Sequence, residues 1–229
     1  MYQENVSVVI PVFNEEGNVT PLLDELFLIL SNHFIEFEVI VVDDGSKDQT
    51  KSELKNYHSV KLKTVFLGQN SGQSAALFEG INEARYDIIV LMDGDLQYDP
   101  ADIPKLYLQL KTGARLVSGF RNKRNDKWLY RMISLVGNSF IKLIFRHKLT
   151  DIGCGLKITY KENLNQMTYF RNIHRYIGVL YCLNGLQVVE MEINHRKRNQ
   201  GRSKYSVWKV FRILKELVFI KMNFKRLKV

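Results

Sequence analysis

The stretch DIIVLMDGDLQ, Asp87 to Gln97, joins an apolar run to a pair of carboxylates. The run is nearly continuous and rich in β-branched residues, which marks a strand buried on both faces. Three upstream stretches share this texture: VSVVIPV at Val6–Val12, FEVIVV at 37–42 and LKTVF at 62–66. Between them lie segments with helical periodicity. Residues 18–30 place Val19, Leu22, Leu23, Leu26 and Leu30 on one face, 46–57 reads as a second helix, and 71–84 as a third, rich in Ala and Gly. Strands alternating with helices at this spacing predict βαβ units and a mostly parallel central sheet flanked by helices, an α/β fold. Ligands of such sheets bind at the carboxyl ends of the strands. Three polar clusters fall there: Asn14-Glu15, Asp43-Asp44-Gly45 and Asp93-Gly94-Asp95.

After a further short strand at 116–119 the texture changes. Residues 128–145 read as an amphipathic helix, 187–193 alternate like a strand, and 205–227 carry apolar residues near helical period among lysines and arginines. For both helices, packing on a core and lying in a membrane interface stay open as readings. No apolar stretch approaches the roughly 18 residues that span a bilayer. The chain begins almost directly in a strand, so no signal peptide is expected.

At 229 residues, 45% hydrophobic and 25% charged, the chain suits one substantial core with at most a small appendage. Disorder is excluded by that apolar content and by the absence of low-complexity tracts or repeats. Cys154 and Cys182 are too few for a disulfide framework and suit a reducing compartment. The net charge of +9 is unevenly placed. Residues 121–148 hold 8 Lys+Arg against 1 Asp, and residues 195–229 hold 12 against 1 Glu, which leaves −9 for the remainder. A basic second half beside an acidic first half predicts an anionic partner on one face: nucleic acid, an anionic membrane or a phosphorylated substrate.

The acidic clusters suggest which. Carboxylates spaced i, i+2 at a strand end, as in Asp93 and Asp95, can turn toward one hard cation of the Mg²⁺ or Mn²⁺ type, with Gln97 as a further carbonyl ligand. In the turn at Asp43, a carboxylate can accept hydrogen bonds from base or ribose while Gly45 permits tight geometry. Ser46 or Asp48 can equally cap the next helix, and Asp48 is expected to be structural. Phe13 can pack on a nucleotide base. A dinucleotide-binding oxidoreductase would carry G-x-G-x-x-G after the first strand, where this chain has Pro11-Val-Phe-Asn-Glu15. A nucleic-acid partner would leave Asp93-Gly94-Asp95 without purpose and is not expected.

Four patterns occur in one order: Pro-Val-Phe-Asn-Glu from Pro11, Val-Asp-Asp-Gly-Ser-x-Asp-x-Thr from Val42, Asn70-x-Gly72-x-x-x-Ala76, and Met-Asp-Gly-Asp-Leu-Gln from Met92. Together they resemble glycosyltransferase family 2. Arg121-Asn-x-Arg124, Asp151-x-Gly-Cys-Gly-Leu-Lys157, His174-Arg-Tyr176, Asn194-His-Arg196 and Gly201-Arg-Ser-Lys-Tyr205 narrow the resemblance to polyprenyl-phosphate glycosyltransferases of the dolichyl-phosphate mannosyltransferase type, over about residues 5–206. The resemblance implies a GT-A nucleotide-diphosphosugar transferase fold and inverting hexose transfer from a UDP- or GDP-sugar to a polyprenyl phosphate. A different acceptor or an inactive nucleotide-sugar-binding subunit are the alternatives. It implies a catalytic domain over 1–204, with a donor and metal half to residue 120 and an acceptor half beyond, and a basic helix over 205–229.

Carried onto this chain, Pro11, Phe13, Asn14, Glu15, Asp43, Asp44, Gly45, Gln73, Asp93 and Gly94 would bind the nucleotide-sugar. Asp93, Asp95 and Gln97 would hold Mg²⁺ or Mn²⁺. Arg121, Arg131, Arg202 and Lys204 would engage the donor diphosphate and the acceptor phosphate. Asp151 would either orient an arginine or line the acceptor site. His174 and His195 are expected to be structural or to position the acceptor. The expected setting is the cytoplasmic face of an anionic membrane, held peripherally or through an anchoring partner subunit. The chain departs from the family pattern in having Gly94 where Ala is common, expected to be harmless, and Phe13 where Tyr is common. It also stops where many bacterial relatives continue into membrane spans, so integral anchoring is not expected.

Overall fold

The computed structural model describes residues 1–121, 149–196 and 208–223, and in the last segment the side chains from Glu216 onward. Seven strands form one sheet: β1 (Val6–Val12), β2 (Phe37–Asp43), β3 (Leu62–Phe66), β4 (Ile88–Leu91), β5 (Leu116–Phe120), β6 (Lys157–Tyr160) and β7 (Val188–Glu192), in the order β3-β2-β1-β4-β6-β5-β7. The pairs β2–β3, β1–β2, β1–β4 and β5–β7 are parallel, whereas β6 runs antiparallel between β4 and β5. The sheet is mostly parallel, as the alternation of strands and helices predicts. Strand β6 is a departure: a four-residue strand opening on a lysine carries no period that marks it.

Alternate residues of the central strands divide between two cores. Val8, Ile10, Val39, Val41, Ile88 and Val90 face α1 (Val19–His33) and α4 (Ile103–Leu110). Val9, Ile40, Val42, Ile89 and Leu91 face the other side, where α3 (Gln73–Glu83) and α6 (Ile177–Leu183) pack. Burial on both faces is why these strands read as unbroken apolar runs. Two short helices, α2 (Thr50–Asn56) and α5 (Lys161–Asn165), lie among the described residues as well.

The helix expected over 205–227 is present as α7 (Trp208–Asn223). Its Leu217 and Ile220 are 2% and 0% exposed and join the second core, so at least this end of α7 packs on the domain. Val218, Phe219 and Met222 remain exposed on the same helix. No described helix is long and apolar enough to cross a membrane. The helix expected over 128–145 lies outside the described residues, as do Arg131, Arg202 and Lys204.

Candidate active site at the carboxyl edge of the sheet

β1, β2 and β4 all end at one edge of the sheet, because they are mutually parallel. β6 begins at that edge, with Lys157 opposite Leu91, and Arg121 follows the end of β5 there. One acidic and one basic group of residues therefore converge on it.

The two loops that follow β1 and β2 are sewn together by backbone-to-side-chain bonds. Asn14, in a left-handed conformation with φ 56°, donates its N–H to Ser46 Oγ (2.9 Å), and its Oδ1 accepts from Lys47 N (2.8 Å). Glu15 N–H donates to Thr50 Oγ1 (2.8 Å), while Glu15 Oε2 accepts from Asn18 Nδ2 (2.8 Å). Pro11 is buried within β1, and Phe13 is partly exposed just beyond it. Asp43 is buried, its Oδ1 accepting from Ser46 N (3.1 Å). Asp48 accepts from the N–H and hydroxyl of Thr50, which is the structural role expected of it.

Asp44 is committed to the fold. Its two oxygens accept from Ser71 N (2.7 Å) and Gly72 N (2.9 Å), which positions the start of α3. Gly45 adopts φ 73°, and a Cβ there would lie 2.8 Å from the carbonyl carbon of Gln69. Only glycine accepts both the angle and that approach. The Asp43-Asp44-Gly45 turn thus holds the loop of residues 69–72 and the start of α3 against the carboxyl edge of the sheet.

Past β4, Leu96 takes φ 60° and Gln97 N–H donates to Asp95 Oδ1 (3.2 Å), a tight turn immediately beyond Asp93. The carbonyl of Gln97 accepts from Arg196 N (2.8 Å), and Arg196 pairs with Glu25 and Asp99 at 2.7 and 3.1 Å. His195 bridges to Tyr98 in the same place, a structural position. Gln73, the first residue of α3, donates from Nε2 to Asp93 Oδ1 at 2.7 Å. Gly94 is buried against β1: a Cβ there would sit 2.5 Å from Val12 Cγ1. The glycine at this position has a packing reason in this chain, over and above its not needing to ligate.

The basic side is built by residues 149–157. Arg121 and Asp151 form a two-point pair, Nε to Oδ2 at 2.6 Å and Nη2 to Oδ1 at 2.9 Å. Asp151 N–H and Thr150 N–H both donate to the Glu190 carboxylate on β7, which holds the loop in place. Of the two roles read for Asp151, the structure shows it orienting an arginine. Lys157 is 3% exposed and donates to the carbonyl of Cys154. Gly155 N–H donates to Tyr98 Oη (2.7 Å), and its Cα packs so closely on Asp93 that any Cβ would overlap the carboxylate.

The electrostatics follow from this crowding. Burial and then the neighbouring Asp95 push the Asp93 carboxyl up to about 6, against the opposing pull of Lys157, Arg121 and the Gln73 bond. Burial pulls Lys157 down, opposed chiefly by Cys154, Asp93 and Asp151. Burial would also lower Arg121, but its bonds to Asp151 outweigh that and raise it. Burial raises the Cys154 thiol to about 11, so it is an inert hydrophobe here.

The pair Asp93 and Asp95 fits a hard divalent cation. Repulsion between them is relieved by a cation, and among the described residues no cluster of three or more His, Cys, Asp or Glu side chains supplies a closed protein cage. An open, oxygen-only set completed by substrate phosphates is the pattern of Mg²⁺ and Mn²⁺ sites.

Of the residues singled out in the sequence, Asp93, Asp95, Gln97, Gln73, Arg121 and Asp151 meet at one edge, with the Phe13–Glu15 and Asp43–Gly45 turns beside them. Sequence reasoning passed over Lys157, Tyr98, Gly155 and Glu190 as site residues. Lys157 and Gly155 lie inside the quoted Asp151–Lys157 motif, where a lysine flanked by Leu and Ile-Thr was the available signal.

Residues 7–172 match the family model described as glycosyl transferase family 2. The chain is 36% identical over 230 residues to a dodecaprenyl-phosphate galacturonate synthase of Rhizobium johnstonii, covering 97% of this chain and 68% of the relative. It is 31% identical over 216 residues to an undecaprenyl-phosphate 4-deoxy-4-formamido-L-arabinose transferase of Proteus mirabilis, covering 93% and 66%. It therefore spans about two thirds of the length of these relatives. Among solved structures, glucosyl-3-phosphoglycerate synthase of Mycobacterium tuberculosis with Mn²⁺, uridine diphosphate and phosphoglyceric acid superposes with a TM-score of 0.73 at 20% identity, over 96% of this chain and 78% of that one. At that identity the likeness is one of fold.

Proposed function

The chain belongs to glycosyl transferase family 2, and on that premise we propose that it transfers a hexose, with inversion, from a UDP- or GDP-sugar to a polyprenyl phosphate at a membrane surface. The observation that carries this reading is the meeting of Asp93 and Asp95 with Arg121 and Lys157 at one sheet edge. The two curated relatives are named for transfer to dodecaprenyl and undecaprenyl phosphate, which supports the acceptor class.

A phosphate monoester has a second pKa of about 6 and is already a dianionic nucleophile near neutral pH. It needs no strong base. That matches a site in which both Asp151 oxygens are taken by Arg121, an unfavourable arrangement for deprotonating a sugar hydroxyl. What this acceptor needs is charge neutralisation, since a dianion approaches a diphosphate. Arg121, held rigidly by Asp151 through Nε and Nη2, presents a fixed positive charge that needs no reorganisation during reaction. Lys157, buried beside Asp93, opposes the rise of that carboxyl. The outlying candidates Arg131, Arg202 and Lys204 fall to the same task as Arg121. Asp93, Asp95 and Gln97 would hold a divalent cation, which as a Lewis acid stabilises the leaving nucleoside diphosphate. Phe13 and the Asp43 turn take the nucleoside, and Gln73 fixes one oxygen of Asp93.

The basic second half then has a further use, attraction to an anionic lipid surface at roughly 1 kcal/mol per residue near it. Attachment would be peripheral or through a partner subunit, at the cytoplasmic face where nucleotide-sugars are made available.

The test is thermal stabilisation. UDP or GDP with Mn²⁺ should raise the Tm, and EDTA should remove most of the gain; no response to any nucleoside diphosphate would overturn the donor assignment. Mass spectrometry of a donor screen with a short polyprenyl phosphate identifies the sugar, and product only on a hydroxyl acceptor would overturn the acceptor assignment.

A further inference from the structure

The residue after Gln73 on α3 is Ser74, 3% exposed, and its hydroxyl lies 2.7 Å from His174 Nδ1. The backbone N–H of His174 also donates to Ser74 Oγ at 3.4 Å. Two contacts, 100 residues apart in sequence, thus fasten the first turn of α3 to the turn Asn172–Tyr176. That turn is itself clamped from its far side. Asn172, in a left-handed conformation with φ 67°, donates from Nδ2 to Glu216 Oε1 (2.5 Å), and Tyr176 Oη donates to Glu216 Oε2 (2.9 Å). Glu216 precedes Leu217, which with Ile220 forms the buried face by which α7 seats on the second core.

One continuous path therefore runs from the seated helix through Glu216, the Asn172–Tyr176 turn, His174 and Ser74 to Gln73 and the carboxylate of Asp93. Side chains that hydrogen-bond a metal ligand set its orientation, and losing such a partner typically weakens metal binding by 10–100-fold. We infer that Ser74 and His174 are positioning residues, which transmit the seating of α7 to the Gln73–Asp93 contact. The seat of the basic C-terminal helix then decides whether Asp93 is aimed for the cation. The inference rests on the donor reading given above, with Asp93 as a ligand.

A serine and a histidine at this distance also resemble part of a nucleophilic arrangement. Ser74 is 3% exposed within α3 and its hydroxyl is held by both His174 contacts, an arrangement that fastens structure and does not present a nucleophile to solvent.

The test follows the Mn²⁺ concentration that half-saturates nucleotide-dependent thermal stabilisation, together with kcat and donor KM. Ser74→Ala, His174→Leu and Glu216→Ala should each raise the half-saturating Mn²⁺ about tenfold at saturating nucleotide. His174→Asn, whose Oδ1 can accept from Ser74 in place of Nδ1, should stay within about twofold of wild type. Substitutions that merely loosen the fold would lower the Tm without moving the Mn²⁺ midpoint. If Ser74→Ala and His174→Leu remain folded with an unchanged midpoint, the inference is overturned while the donor reading stands. Should wild type itself show no Mn²⁺-dependent stabilisation, the donor reading fails and this inference with it. An unaltered midpoint in Glu216→Ala alone would cut the path at α7, overturning its extension to the helix.

Discussion

Arg121 and Asp151 face each other through two parallel bonds of 2.6 and 2.9 Å, with side chains only 15% and 5% exposed. A buried ion pair contributes less to stability than its geometry implies, but a single buried charge is costly. Asp151→Ala should therefore destabilise the protein by about 3–5 kcal/mol. The double variant Arg121→Met with Asp151→Leu should recover most of that loss in stability while abolishing transfer. Urea unfolding followed by circular dichroism measures both, and a loss below about 1 kcal/mol in Asp151→Ala would contradict the account.

Gly94 and Val12 make the second prediction. A methyl at position 94 would sit 2.5 Å from Val12 Cγ1 and 3.5 Å from Ile10 Cγ2, a site with no room. Overpacking of this kind costs about 1–3 kcal/mol, and the displaced loop carries Asp93 and Asp95. Gly94→Ala alone should lower both Tm and donor turnover. Joined to Val12→Ala it should regain much of both, because contacting sites are not additive. Equal losses in the single and double variants would refute the packing explanation.

Much of the part built on β1, β2 and β4 is legible in the sequence because its determinants are local. Val6–Val12, Phe37–Asp43 and Ile88–Leu91 are buried on both faces, so each announces itself as an apolar run ending in polar residues. The part built on residues 149–160 resists such reading. Lys157–Tyr160 is a strand only because β4 and β5 lie on either side of it, and its lysine is buried by tertiary neighbours. Asp44 looks like a ligand residue among acids, yet its oxygens are taken by amides 27 and 28 residues onward. Pairings such as Arg121 with Asp151 or Ser74 with His174 have no local period to betray them. A motif can mark the stretch, but not the partner.

His174 gives the pH dependence. Burial first, then Arg175 and Lys157, lower it to about 3, against 6.5 in the unfolded chain. Between those values the unfolded state binds the proton and the folded state does not, so stability falls as pH falls. The loss is absent above pH 6.5 and accumulates below it, down to about pH 3. Its slope is at most about 1.4 kcal/mol per pH unit, reduced by the partial exposure of the ring. His174→Asn should flatten the acid limb of a stability profile from pH 6.5 downward. A profile that overlays wild type would show that the ring is protonated in the fold.

Asp95→Ala tests the cation. Its carboxylate is the second charge of the pair, and its turn is supported independently by the bond between Gln97 and Arg196. The variant should keep its circular dichroism and lose transfer by three orders of magnitude or more, on the order of 4 kcal/mol of transition-state stabilisation. Apo wild type in EDTA should match it. Transfer that survives both treatments would remove the metal from the mechanism.

The membrane reading makes the last prediction, and α7 supplies the means to separate charge from apolar contact. Val218, Phe219 and Met222 are 57%, 44% and 80% exposed, on the helix whose Leu217 and Ile220 are buried. Replacing Val218 and Met222 by Ser, and keeping Phe219 because its ring packs on Phe170 at 5.5 Å, should leave the Tm nearly unchanged. Apolar area leaving water is worth about 25 cal/mol per Å², so their loss should weaken sedimentation with anionic vesicles several-fold even at low salt. Raising the salt should weaken wild type too, through screening of the basic residues, and the two effects should compound. If the Ser variant sediments like wild type at every salt concentration, α7 meets the bilayer through charge alone. If neither change matters, the helix does not face lipid, and the membrane reading of α7 is overturned.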